Sequence, residues 1–170
     1  MCGALLQKIK GDLEASHMDH RTESHYTLDE SYSNEVRINT IGRHVRTRLY
    51  FTSESHIHTL LNELRYPGEG KICAISPEGQ ETLDKIPELC YLTQVVIRLF
   101  EDQNDETKFR CEIAMSPGAN DSPWGPVGSK HSIAPMISLN KSINYDDLIT
   151  CLYNAIRASD DKDTRKLVAP

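Results

Sequence analysis

Between positions 53 and 58 the chain sets two hydroxyls, a carboxyl and two imidazoles: Ser53, Glu54, Ser55, His56 and His58. Arg46 and Arg48 stand a few residues upstream. These groups suit a phosphate. An imidazole can donate to a phosphate oxygen, guanidiniums add the charge that phosphoryl chemistry needs, and a carboxyl whose pKa is raised can act as a general acid. On this reading His56 contacts the phosphate and Glu54 is the candidate proton donor. Ser53, Ser55, Arg46 and Arg48 are candidate phosphate-binding residues. The plainer alternative is that Ser53-Glu54-Ser55-His56 is only a helix-capping sequence and His56 a surface residue. A metal is not assigned here, because His56 and His58 lie two positions apart and do not share a helical face.

The elements that must position these groups are a strand and the helix after it. Val45, Thr47, Tyr50, Phe51 and Thr52 are β-branched or aromatic, which predicts a strand over 43–53. The period then changes: Ile57, Leu60, Leu61 and Leu64 fall on one helical face, which predicts a helix from Ser55 to Tyr66 that stops at Pro67-Gly68. Ser53 or Ser55 can cap that helix. Its N-terminus presents unpaired N–H groups and the positive end of the dipole, so it can receive an anion.

Around this corner the rest reads as α plus β. Leu5, Leu6, Ile9 and Leu13 suggest a helix over Cys2–Ala15. Residues 17–39 are polar. His17, Asp19, His20 and His25 invite a metal reading, but a solvated loop is preferred, since zinc ligands need a supporting shell. A short buried piece is expected at Ile72–Ile75 and a helix over Gln80–Leu89 that Pro87 interrupts. Tyr91–Glu101 and Lys108–Met115 read as a hairpin across a polar loop, with Phe109, Cys111, Ile113 and Met115 on one face. Residues 119–130 are rich in Gly, Pro and Ser around Trp124. Ala134–Leu139 is expected to be extended. Asn144 is a good cap for a last helix whose apolar face is Leu148, Cys151, Leu152, Ala155 and Ile156.

The whole chain has 170 residues and a net charge of −6, which argues against nucleic acid as a partner of the whole chain. The five cysteines, Cys2, Cys73, Cys90, Cys111 and Cys151, are odd in number and contain no C-x-x-C pair. They read as reduced, intracellular thiols, with Cys90 and Cys111 as buried packing residues. No apolar run reaches the roughly 20 residues of a membrane span, and no signal core opens the chain. The expected compartment is the cytosol.

The segments GRHVRTRLYFTSESHIHTLLNELRY, YLTQVVIRLFED and FRCEIAMSPG resemble the inositol hexakisphosphate and diphosphoinositol pentakisphosphate kinases; the resemblance covers about Leu28 to Gly118. It implies a bifunctional parent protein. An ATP-grasp domain using ATP and magnesium would add a phosphate, and a histidine-acid-phosphatase-like domain would remove it. The fold implied is α/β, a partial histidine-phosphatase-like fold: one core strand of a largely parallel sheet, its following helix, a peripheral hairpin and a C-terminal helix. The corresponding division is 1–40, an N-terminal helix and polar loop; 41–118, the C-terminal portion of the phosphatase-like domain; and 119–170, a loop and C-terminal helix.

The resemblance also marks departures. Gly42-Arg43-His44-Val45-Arg46 is only superficially similar to the Arg-His-Gly-x-Arg signature of histidine phosphatases: the glycine is missing and the arginine spacing is wrong. The His-Asp pair that contacts phosphate and supplies the proton in histidine acid phosphatases is replaced by Ser-Glu-Ser-His, which makes His56 the expected phosphate-site histidine. The expectation is therefore a fragment without kinase domain, nucleophile or cofactor of its own. Its partners would be inositol polyphosphates or diphosphoinositol polyphosphates and the missing N-terminal portion of the same domain. A parallel core strand needs neighbours on both sides, so the isolated chain is expected to be poorly stable. The alternative is a non-catalytic inositol-polyphosphate-binding or protein-interaction module.

Overall fold

The computed structural model describes residues 3–17, 47–67, 71–119 and 133–167, the last with side chains as far as 159. The elements run α1 (Gly3–His17), α2 (Glu54–Arg65), α3 (Pro77–Asp84), β1 (Gln94–Asp102), β2 (Asp105–Ser116), β3 (Ile137–Asn144) and α4 (Tyr145–Leu167). The architecture is α/β, with the sheet in the order β1-β2-β3 and every pairing antiparallel.

The period-two pattern of β2 builds the centre. Cys111, Ile113 and Met115 are fully buried on one face, where Phe109, Ile97 and Leu99 pack beside them. β1 and β2 meet in a tighter hairpin than their polar linker suggests. Asp102 pairs with Asp105, and Asp102 Oδ1 accepts from Asn104 N at 2.8 Å, an Asx turn that satisfies the backbone locally. On the core face lies α4, whose Leu148, Cys151, Leu152, Ala155 and Ile156 are buried. Asn144 caps this helix, its Oδ1 accepting from Asp146 N at 2.8 Å. Helices α1 and α2 pack on α4 through Leu6 and Ile9 and through Leu60, Leu61 and Leu64.

α3 starts and ends earlier than its apolar residues imply. Ser76 is its N-cap, accepting from Gly79 N at 3.1 Å, and Pro77 fills the first helical turn. The helix stops at Asp84 because Pro87 disfavours helical backbone just before it. Its cap segment docks closely on β3: Ser76 N donates to Leu139 O at 3.0 Å, and the Asn140 side-chain Nδ2 donates to Ala74 O at 2.9 Å.

The hairpin expected of this chain is present as β1 and β2, with β3 added antiparallel to β2. Two expectations are corrected. Residues 47–53, the described part of the expected strand, pair with no strand among the described residues. Leu49 and Phe51 are 75% and 94% exposed, and without a neighbouring strand there is no ladder to complete. Second, Cys90 is exposed, not buried, because it lies on a turn beside Pro117, to whose carbonyl its N–H donates at 2.9 Å. Asp19, His20 and His25 of the polar segment lie outside the described residues, as do Arg43, His44 and Trp124. His17 ends α1, its ring stacked on Tyr145 at 4.6 Å and tilted against Phe109 at 4.5 Å.

Candidate functional site

The site is the first turn of α2 and the extended chain that leads into it. The helix is fixed from its inner side: Leu64 is fully buried, and Leu60 and Leu61 are nearly so. The outer side and the N-terminus are left in solvent. Ser53 takes the N-cap position with extended backbone, φ −80° and ψ 159°. Its side chain does not cap the helix; Ser53 Oγ instead meets Ser55 Oγ at 3.0 Å. The first turn is closed by the backbone, with Ser53 O accepting from His56 N at 3.1 Å and Ile57 N at 3.3 Å. Ser55 O in turn accepts from Thr59 Oγ1 at 2.8 Å. The helix start therefore presents two paired hydroxyls beside N–H groups that no serine side chain occupies.

The two imidazoles point to different partners, as their spacing requires. His56 Nδ1 shares a hydrogen bond with Thr52 Oγ1 at 2.6 Å. His58 Nε2 lies 3.4 Å from Glu54 Oε1, one helical turn back. Glu54 and His58 are both exposed, at 67% and 51% of their side chains, so Glu54 faces water and a histidine. Among the described residues no group of three or more His, Cys, Asp or Glu side chains converges as a bound metal ion would require.

Arg48 does not reach toward the serines. Its Nε lies 3.6 Å from Asp12 Oδ1 on α1, and Tyr50 donates its hydroxyl to the other oxygen of the same carboxylate. Lys8 Nζ approaches Asp12 Oδ1 at 3.3 Å. Burial pushes the Asp12 carboxyl up, but the hydrogen bonds from Tyr50 and Lys8 and the charges of Lys8 and Arg48 outweigh it, and its pKa falls below the ordinary value. Tyr50 is pushed up to about 12 by burial and by Asp12, and so stays a donor. Arg46 lies outside the described residues.

Sequence reasoning missed Asp12, Tyr50 and Thr52. The signal was present in the period of two: Arg48, Tyr50 and Thr52 make the polar contacts, and Leu49 and Phe51 between them face solvent. What the sequence could not supply was the acid, 38 positions upstream of Tyr50. A shallow pocket of about 120 Å³ lies on the outer face of α2, lined by His58, Asn62, Arg65, Leu83, Ile86 and Glu88 among others. Arg65, one of its lining residues, forms an ion pair with Asp84 at 2.5 Å.

A family profile described as the histidine phosphatase superfamily (branch 2) matches residues 1–115. The chain belongs to that superfamily. The match takes in α1, the extended segment, α2, α3, β1 and nearly all of β2. This superfamily member is also similar to proteins named inositol hexakisphosphate and diphosphoinositol-pentakisphosphate kinase. It is 42% identical to kinase 2 of Mus musculus over 127 residues, 69% of this chain and 10% of that protein. It is 40% identical to kinase 1 of Rattus norvegicus over 151 residues, 85% and 10%. It is 42% identical to the Caenorhabditis elegans kinase over 130 residues, 69% and 9%. The chain spans about a tenth of the length of the curated relatives it matches. No solved structure matches it. Among the described residues no helix is long and apolar enough to cross a membrane.

Proposed function

We propose that this chain is the C-terminal part of a histidine-phosphatase-like domain from an inositol hexakisphosphate and diphosphoinositol-pentakisphosphate kinase. In this reading the first turn of α2 is the phosphate-facing side of a site for inositol polyphosphates or diphosphoinositol polyphosphates. The observation that carries it is the start of α2: a helix N-terminus without a side-chain cap, flanked by Ser53, Ser55 and His56 and lying inside the family match. His56 would donate to a phosphate oxygen, with the Thr52 hydroxyl on Nδ1 helping to fix the ring. Glu54 would be the proton donor. Arg48, and Arg46 with it, would add charge.

The 170 residues contain no Arg-His-x-x-Arg or Arg-His-Gly-x-Arg sequence, so the chain by itself would bind a phosphate and not attack it. The nucleophile would come from the remaining portion of the same domain. ATP and magnesium would belong to a kinase domain elsewhere in such a protein, and the compartment would be the cytosol.

Calorimetric titration with inositol hexakisphosphate tests this. The expected result is salt-sensitive binding that His56→Ala weakens by roughly tenfold or more, the size of a hydrogen bond to a charged group, with no phosphate released from a diphosphoinositol substrate. Absence of binding, or binding indifferent to His56→Ala and Arg48→Ala, would overturn the site. Phosphate release that disappears in His56→Ala would overturn the missing nucleophile.

A further inference from the structure

Asp12 is an odd residue to find on the inner side of α1. Its side chain is only 14% exposed, although a carboxylate removed from water is costly unless it is paired. It is paired three times, by Lys8 one turn before it, by Arg48 and by the Tyr50 hydroxyl. An ammonium, a guanidinium and a phenol converging on one oxyanion are the donors that would otherwise receive a phosphate. Two of the three sit on the extended segment that leads directly into the first turn of α2.

We propose that Asp12 is a positioning residue that competes with the anionic ligand: its carboxylate occupies Arg48 and Tyr50 and draws them to α1 until a phosphate group at the start of α2 takes them over. This rests on the reading of that helix start as a phosphate site. The chemical class of ligand is a phosphate monoester or pyrophosphate of high charge, because only a ligand more negative than the carboxylate gains by the exchange. Asp12 also ties residues 48–50 down while no ligand is present, through contacts made at side-chain positions two apart.

The test is a double-mutant cycle on the full chain, with inositol hexakisphosphate as the probe. Asp12→Asn keeps the size of the side chain and removes its charge. Binding should tighten by roughly fivefold, the size of a partly exposed ion pair. The gain should vanish in an Arg48→Ala background, as it must if it runs through Arg48. Asp12→Glu should restore wild-type affinity. Tyr50→Phe, which leaves α1 and the carboxylate in place, should weaken binding, because the ligand loses the donor it takes over from Asp12; binding unchanged by it would count against the exchange, and it covers the case in which Asp12→Asn fails to fold. Tryptic cleavage after Arg48, read by mass spectrometry without ligand, should quicken in Asp12→Asn. Binding by the wild-type chain with no gain in Asp12→Asn, or a gain that persists without Arg48, would sink the competition alone. No binding by any form would sink the phosphate reading and the competition with it. Unchanged cleavage would show that Asp12 does not hold the segment.

Discussion

Replacing Gly79 with alanine should destabilise the fold, against the ordinary rule for a glycine inside a helix. That rule favours alanine by about 1 kcal/mol. At Gly79, however, an added Cβ would stand 2.0 Å from the Leu139 carbonyl oxygen, 2.8 Å from its carbon and 2.9 Å from Ile75 Cγ2. Even weak C–H···O contacts keep carbon and oxygen about 3.3 Å apart. The nearest obstacle is backbone and cannot rotate away, so the start of α3 and β3 would have to separate. The separation acts on two polar links, Ser76 N to Leu139 O and Asn140 Nδ2 to Ala74 O. A buried polar group left without its partner costs about 1–3 kcal/mol. Set against the propensity gain, the net loss is about 1–5 kcal/mol, which for a chain of this size lowers Tm by about 2–20 °C. Urea unfolding and thermal melting followed by circular dichroism measure it. Gly11→Ala in α1 is the internal control, because its Cβ meets nothing within 4 Å, and it should raise stability. If Gly79→Ala proves as stable as the wild type while Gly11→Ala behaves as expected, the start of α3 does not dock closely on β3.

Two further outcomes follow from the thiols and phenols. Cys90 is exposed, whereas burial pushes Cys111 and Cys151 up to about 11; near pH 8 an alkylating reagent should therefore label Cys90 well before either, and mass spectrometry showing Cys111 labelled at the Cys90 rate would contradict the packing of β2. The same burial sets a sign for alkaline stability. A thiol held protonated in the folded state loses its proton more readily when unfolded, so the unfolded chain binds fewer protons above an ordinary thiol pKa of about 8.5, and stability must fall as pH rises. The loss should begin near pH 9 and continue through about 11, with Tyr50 and Tyr145, both pushed up to about 12, extending it; urea midpoints that stay level from pH 8 to 11 would refute it.

Much of the fold was legible where a single period dominates. The alternation of Phe109, Cys111, Ile113 and Met115 gave the face of β2, and Ile57, Leu60, Leu61 and Leu64 gave the face of α2, because burial on one side is written directly into spacing. Asn144 and its following aspartates gave the start of α4 for the same local reason. The start of α3 was hidden because its cap, Ser76-Pro77, precedes the apolar residues by several positions, so reading from Leu83 backwards placed the helix too late. The site was half legible. The residue types at 53–58 were apparent, and so was the division of His56 and His58 between two faces. The direction of Arg48 was not, since it is set by a carboxylate that only the packing of α1 brings near.

The segment 47–53 explains why a strand-like sequence is not a strand here. Its polar side is satisfied by Asp12 and His56, and its apolar side, Leu49 and Phe51, is not covered. Burying two such side chains is worth about 1.5–3 kcal/mol each, a gain that the extended chain forgoes without strands to flank it. The alternation is thus intact, and among the described residues no strand flanks it. In the reading proposed above, that surface is the remaining portion of the phosphatase-like domain. Its arrival would do two things at once: cover Leu49 and Phe51, and fix the line along which the chain enters α2. Because Thr52 and His56 share a hydrogen bond across that junction, fixing the strand also fixes the imidazole. In that reading the lack of a strand beside residues 47–53 among the described residues and the lack of a nucleophile motif would have one physical cause, the neighbours that the remaining portion of the domain would supply.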